Sequence, residues 1–290
     1  MHFAIDISIL RDRYGYQKTF DLLAEAGFTC LNMDYFLYNE TPAELDLLCD
    51  DYLERAYRMR QQLDAMGLRC IQTHGPSGMR RVEGRMPDER ELPYLKTARA
   101  VEASSILGAE NIVLHLMNGW VPDYIPYNRD LMRSFIPYCK PGTRIAIENE
   151  YFENPDGTAF DPMQGAANMS AFVRSLESDC FCICVDIGHA AVSSGKAPET
   201  YLQQVDSSLL KALHVHDTDL KQDMHVLPYQ ADHNWTAIMQ TLAQMGYTGN
   251  FEMEVSGAMR RMPDELMPAF LKMAKQVGDH LVSIFEAAKK

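Results

Sequence analysis

"LHVHDTDLKQDMH", residues 213–225, sets how the rest of the chain is read. It continues an apolar run, "LLKALHVH" (209–216), whose side chains alternate with the period of two expected of a strand. The run ends on histidine, and the chain then turns polar and acidic. The same shape, a short β-rich run closing on or near an ionisable residue, recurs in "FAIDIS" (3–8), "FTCLNMDYF" (28–36), "LRCIQTH" (68–74), "NIVLHL" (111–116), "RIAIENE" (144–150), "FCICVDI" (181–187) and "NFEMEV" (250–255). Helix-like segments follow near 17–26, 42–66, 88–107, 129–139, 165–177, 198–206, 234–245 and 264–288. "EAGF", "AMGL", "ILGA" and "QMGY" close several of them with glycine, the usual C-terminal stop. Eight β-then-α units in 290 residues predict an α/β fold, a single (β/α)8 TIM barrel over 1–290. A doubly wound open sheet is the competing layout, but no G-x-G-x-x-G follows the first strand. No Pro/Gly/Ser-rich linker divides the chain, as one domain requires.

Composition narrows the partners. Apolar residues make up 47% of the chain, enough for a large core, and the formal charge is −13. A field of that sign repels phosphate backbones at long range and argues against a nucleic-acid partner. No apolar run approaches the roughly 18 residues of a membrane span, and "MHFAIDISIL" has no basic segment ahead of a long apolar one. A cytoplasmic location is expected. The seven cysteines lack zinc-ribbon spacing, and Cys180, Cys182 and Cys184 alternate as strand residues do. They are expected to be reduced and structural.

In a barrel, His74, His115, Glu148, Asp186, His216 and Glu254 stand at or near strand ends and converge on one mouth. A single strand-end histidine has an ordinary reading as a hydrogen-bonded structural residue. Six ionisable groups in one concavity need a cation or a ligand to compensate them. Glu148, Asp186, His216 and Glu254 come from four strands and make a mixed oxygen and nitrogen set suited to Mn, Zn, Co or Mg, with one ion expected and a second left open. His214 and His216 point the same way. His216, nearer the strand end, is taken as the ligand and His214 as lying one layer down, with the reverse order open.

The chain resembles the xylose isomerase-like barrels, which include sugar phosphate isomerases and epimerases, ketose 3-epimerases, inosose dehydratases and type IV apurinic endonucleases. The matching stretches are "QTHGP" (72–76), "NIVLH" (111–115), "IAIENE" (145–150), "VDIGHA" (185–190), "LHVHDTD" (213–219) with "DMHVLP" (223–228), and "YTGNFEMEV" (247–255). The resemblance implies a divalent-metal enzyme acting on a carbohydrate. In the ketose epimerases the four ligands would fall on Glu148, Asp186, His216 and Glu254, and a substrate-binding histidine on His189. Glu148 and Glu254 would flank the substrate as catalytic acid and base, passing a proton through an enediolate.

One departure is instructive. Ketose epimerases usually follow the seventh-strand histidine with a substrate-contacting arginine, whereas this chain has Asp223 and His225. The endonucleases' three-zinc pattern would map onto His74, His115, Glu148, Asp186, His189, His216, Asp223, His225 and Glu254. A metal-dependent phosphodiesterase acting on abasic DNA is therefore the alternative class, and an inosose-type dehydratase a second use of the same residues. In the isomerase reading His74, His115, His189, Asp223 and His225 contact substrate. The loop "MNGWVPDYIPYN" (117–128) supplies Trp120, Tyr124 and Tyr127, which could stack on a sugar or serve subunit packing in a homo-oligomer. "GMRRVEGR" (78–85) is the one compact basic cluster.

Overall fold

Each of the eight apolar runs forms a strand in the computed structural model, which describes residues 1–35, 43–76, 86, 91–117 and 123–289. The strands are β1 (Phe3–Ile5), β2 (Cys30–Asp34), β3 (Arg69–His74), β4 (Asn111–Leu114), β5 (Arg144–Glu148), β6 (Phe152–Glu153), β7 (Ala159–Phe160), β8 (Phe181–Asp186), β9 (Leu210–Val215) and β10 (Phe251–Met253). β6 and β7 form a small antiparallel hairpin. The other eight make one parallel sheet in the order β1-β10-β9-β8-β5-β4-β3-β2. A parallel bridge between Asp6 and Asn32 joins its two edges, so the sheet is a nearly closed barrel. Trp120 and the 78–85 cluster lie outside the described residues.

Alternation along the strands sorts the side chains. Val113, Ala146, Cys182, Cys184 and Ala212 form a small buried cluster inside the barrel. Their neighbours Ile145, Ile147, Ile183, Val185 and Leu213 belong to the larger core that packs beneath the helices. Small interior residues leave room higher up for long polar side chains of the same parity. All seven cysteines are free, and Cys182 and Cys184 serve as interior fillers.

The helices are α1 (Ser8–Ala26), α2 (Tyr52–Ala65), α3 (Leu92–Leu107), α4 (Tyr124–Ser134), α5 (Ala166–Ser175), α6 (Ile187–Ser194), α7 (Glu199–Leu202), α8 (Trp235–Gln244), α9 (Ser256–Arg261) and α10 (Met267–Ala288). Several depart from the sequence reading: α2 starts later than 42, α4 lies about a turn and a half before the expected 129–139, and α7 is shorter than 198–206. α1 starts at Ser8 because Asp6 accepts both the Ser8 amide (2.9 Å) and its hydroxyl (2.5 Å), while Gly15 at φ 73° breaks the helix before the predicted start. α6 was not expected; its first turn is made by Asp186, whose carboxylate caps the His189 amide at 2.6 Å. α9 was also missed, six residues being too few to show a period. No described helix is long and apolar enough to cross a membrane.

Candidate metal centre

β8, β9 and β10 lie side by side, with Asp186 in register with His214 and His214 with Glu252. In neighbouring parallel strands, registered residues point the same way, so these three side chains meet inside the barrel. His214, not His216, is therefore the imidazole shared by the carboxylates. Its Nδ1 stands 3.0 Å from Glu148 Oε1, 3.0 Å from Glu254 Oε2 and 3.8 Å from Asp186 Oδ2. His216, one step past the end of β9, has its Nε2 3.1 Å from both Asp186 oxygens and stacks on His225 at 4.2 Å. His214 lies one layer below His216, as expected, but it is this lower imidazole that stands among Glu148, Asp186 and Glu254. Gly188 keeps this space open, because a Cβ there would run into the His216 ring.

Glu148, Asp186, His214 and Glu254 each offer a donor atom within 4.8 Å of the others. Two further groups share this property: His189, Asp223 and His225, and His74, His115 and Glu148. His74, His115, His189, Asp223 and His225 thus fall in one connected mouth, and His216 joins it through Asp186 and Asp223. His74 Nε2 is 3.3 Å and His115 Nε2 2.9 Å from Glu148 Oε2. His189 Nε2 is 3.5 Å and His225 Nε2 2.9 Å from Asp223 Oδ2.

The histidine tautomers test whether this set suits a cation. Nδ1 of His74, His189 and His225 each faces a backbone carbonyl, of Gly75, Asn149 and Glu254, at 3.0 Å. A carbonyl only accepts, so each Nδ1 carries a proton and each Nε2 is left to face a carboxylate. A lone pair opposite an anion is repulsive unless a proton or a metal ion stands between them. Glu252, fully buried, lies 3.2 Å from His214 Nε2. The donor set and its tautomers fit a divalent ion.

Without an ion, protons fill the gap. Burial opposes a charged His115, yet Glu150 and Glu148 raise it to about 9. Burial is likewise outweighed at His225, where Glu254 and Asp223 raise it to about 10. Burial would raise Glu148 and Glu254, but His214 and its histidine neighbours hold both well below the usual carboxylate range. Glu252 is pushed up by burial, with Glu254, Asp6 and Asp34 adding to the rise against the opposing pull of His214.

A cavity of about 350 Å³ opens beside the cluster, with Glu254, Asp223, His225 and His74 on its walls. Asp6, Asn32, Asp34 and Glu252 line it too, and none was singled out from sequence. The signal was present: Asp6 and Asp34 close the first two strand runs by the same strand-end rule. Tyr124 and Tyr127 are buried within α4, so neither offers a free ring face to a sugar.

The family profile of the Xylose isomerase-like TIM barrel matches residues 20–276, and the chain belongs to that family. Uncharacterized protein y4fM of Sinorhizobium fredii (strain NBRC 101917 / NGR234) is 24% identical over 283 residues, 82% of this chain and 81% of its own. Among solved structures, a D-tagatose 3-epimerase-like protein superposes with TM-score 0.73 at 17% identity, over 99% of both chains. D-psicose 3-epimerase from Clostridium cellulolyticum H10, solved with D-tagatose, gives TM-score 0.73 at 14% identity over 97% of this chain and 99% of its own. The IOLI protein with a binding zinc atom gives 0.70 at 14% identity, over 98% and 99%. These likenesses concern the fold.

Proposed function

We propose that the chain is a divalent-metal-dependent isomerase or epimerase of a sugar or sugar phosphate, working through an enediolate. The convergence of Glu148, Asp186, His214 and Glu254 beside a polar cavity carries the reading. Mn, Zn, Co or Mg at these donors would supply Lewis acidity toward a carbonyl, which makes the adjacent C–H acidic. The chain's own groups do the rest. Glu254, on the cavity wall, removes the proton from the carbon next to the carbonyl, and Glu148, which shares the His214 Nδ1 with it, returns one. Delivery to the opposite face inverts the carbon; delivery to its neighbour isomerises the sugar. His189, held by Asn149 and close to Asp223, orients a substrate oxygen. Expulsion of a hydroxyl in place of reprotonation would make the same residues a dehydratase.

The second reading is a multinuclear phosphodiesterase, favoured by the two additional donor groups around Asp223 and His115. The net charge of −13 opposes a DNA substrate. The deciding experiment incubates the metal-loaded protein in D2O with ketoses, sugar phosphates and inososes and follows the proton next to the carbonyl by NMR. Exchange with at least one compound is expected, and loss of water in the product would reveal the dehydratase. A fully metal-loaded protein that exchanges no proton in any of them sinks the proposal. Asp186→Ala should lower metal content, and full occupancy in that variant would remove Asp186 from the ligand set.

A further inference from the structure

We infer that Arg260 and Arg261 form a phosphate-binding end of the cavity, so that the substrate is a phosphorylated sugar or cyclitol. This deepens the isomerase reading and rests on it.

Both arginines line the cavity that also holds Glu254, Asp223 and His225. Among the described residues neither guanidinium has an ion pair or a side-chain hydrogen bond. Both side chains are exposed, whereas Arg13 sits 3.6 Å from Asp264. The cavity is also lined by five carboxylates, of Asp6, Asp34, Asp223, Glu252 and Glu254, and among the described residues none forms an ion pair with either arginine. The space between the anionic and cationic walls is about 350 Å³, inside the range of roughly 300–1,000 Å³ common for small-molecule sites.

The backbone under the pair is fixed in place. Arg13 donates to the carbonyls of Arg260 (2.5 Å) and Met262 (2.7 Å). Met259 is buried in the core, and the Ala258 amide donates to the His225 carbonyl at 3.1 Å. A Cβ on Gly257 would strike the Met224 carbonyl, so α9 lies directly against the segment carrying Asp223 and His225. The backbone that carries the arginines is thus fixed against the segment bearing Asp223 and His225. A sugar whose carbonyl end meets Glu254 would present its far end to them. Two guanidiniums on one cavity match the charge of nearly −2 and the three acceptor oxygens of a phosphate monoester better than the single charge of a carboxylate. The same group on inorganic phosphate would bind more weakly, lacking the sugar's contacts.

Calorimetry on the metal-loaded protein tests this with a ketopentose 5-phosphate, the same ketopentose without phosphate, the corresponding sugar acid and inorganic phosphate. The phosphorylated sugar should bind on the order of tenfold to a hundredfold tighter than the free one. That gap should close in Arg260→Ala/Arg261→Ala, narrow in each single alanine variant, and survive in part in Arg260→Lys/Arg261→Lys, with metal content the same throughout. A wild-type protein that binds both sugars equally overturns the inference, as does a gap that persists in the double alanine variant. A sugar acid that binds as tightly as the phosphate would overturn the phosphate assignment. Failure of the isomerase reading would look different: no solvent exchange on any ketose, with the calorimetric gap intact.

Discussion

Asp217→Ala should lower the melting temperature by about 6–10 °C, although Asp217 lies outside the donor groups described above. The carboxylate is fully buried next to His216. It accepts the amides of Tyr229 (2.8 Å), Thr218 (3.0 Å) and His233 (3.1 Å), and the Trp235 indole N–H (2.9 Å). These four bonds fold the segment from 217 to 235 back on itself, and Asp223 and His225 ride on that segment. Leu220, His225 and Tyr229 all have positive φ, at 64°, 47° and 74°, which costs an ordinary side chain energy and needs an outside tether. Hydrogen bonds to a charged acceptor net about 1 kcal/mol or more each, and water entering the vacated space recovers part of the loss. The sum is about 3–5 kcal/mol, and a chain this long shifts by roughly 2 °C per kcal/mol. Asn at this position keeps one carbonyl oxygen, so Asp217→Asn should lose about half as much. Thermal melts of both variants at matched metal content check the values. An alanine variant within about 2 °C of the parent would mean that the carboxylate does not tether the loop.

Other outcomes follow from the same geometry. Glu148→Gln and Glu254→Gln should each lose about 10²–10⁴ in turnover on a responsive ketose, and metal occupancy measured in the same samples separates lost proton transfer from lost metal. Near-normal rates in both metal-replete variants would shift proton transfer to His189 or to the Asp223/His225 pair. With His115 raised to about 9 and His225 to about 10, the chelated protein gains stability from their protonation. That gain is full below the ordinary histidine value of about 6.5 and is lost as pH rises through 9–10. Melts of the metal-free protein should therefore fall across that window, while metal affinity rises as the competing protons leave; a flat profile in both would contradict the charged-imidazole picture. Incubation with an abasic-site duplex at moderate salt should give no metal-dependent cleavage, and efficient incision would favour the phosphodiesterase instead.

Much of the barrel was legible because its signal is repetitive. Eight apolar runs of alternating parity, spaced by glycine-stopped helices, leave little freedom once the chain length is known. What escaped was short or made by side chains. The β6–β7 hairpin has two residues per strand, too few to show alternation. α6 and the start of α1 are set by aspartate caps at Asp186 and Asp6, where a carboxylate bonds the next turn and an apolar period plays no part. The sequence map carried the strands to Ser8 and Ile187 and assigned no helix to the residues that follow until 17 and 198.

The choice between His214 and His216 shows where strand-end reasoning stops. Both have the parity that points inward, so alternation cannot choose between them; the choice depends on how far β9 is staggered against β8. The ladder pairs Asp186 with His214 and shifts register between Ile183 and Cys184, an irregularity with no mark in the sequence. That shift sets His214 level with Asp186 and leaves His216 above it, where Asp186 and Asp223 both reach its Nε2, at 3.1 and 3.6 Å. Asp186 consequently serves two neighbourhoods at once, the Glu148–His214–Glu254 donors below and the His216–Asp223–His225 group above. A second ion, if bound, would therefore be electrostatically coupled to the first through that carboxylate. Titrating metal into the apo protein should then give two unequal steps, with the weaker one abolished in Asp223→Ala. Two steps that survive in that variant would place the second ion at His74, His115 and Glu148 instead.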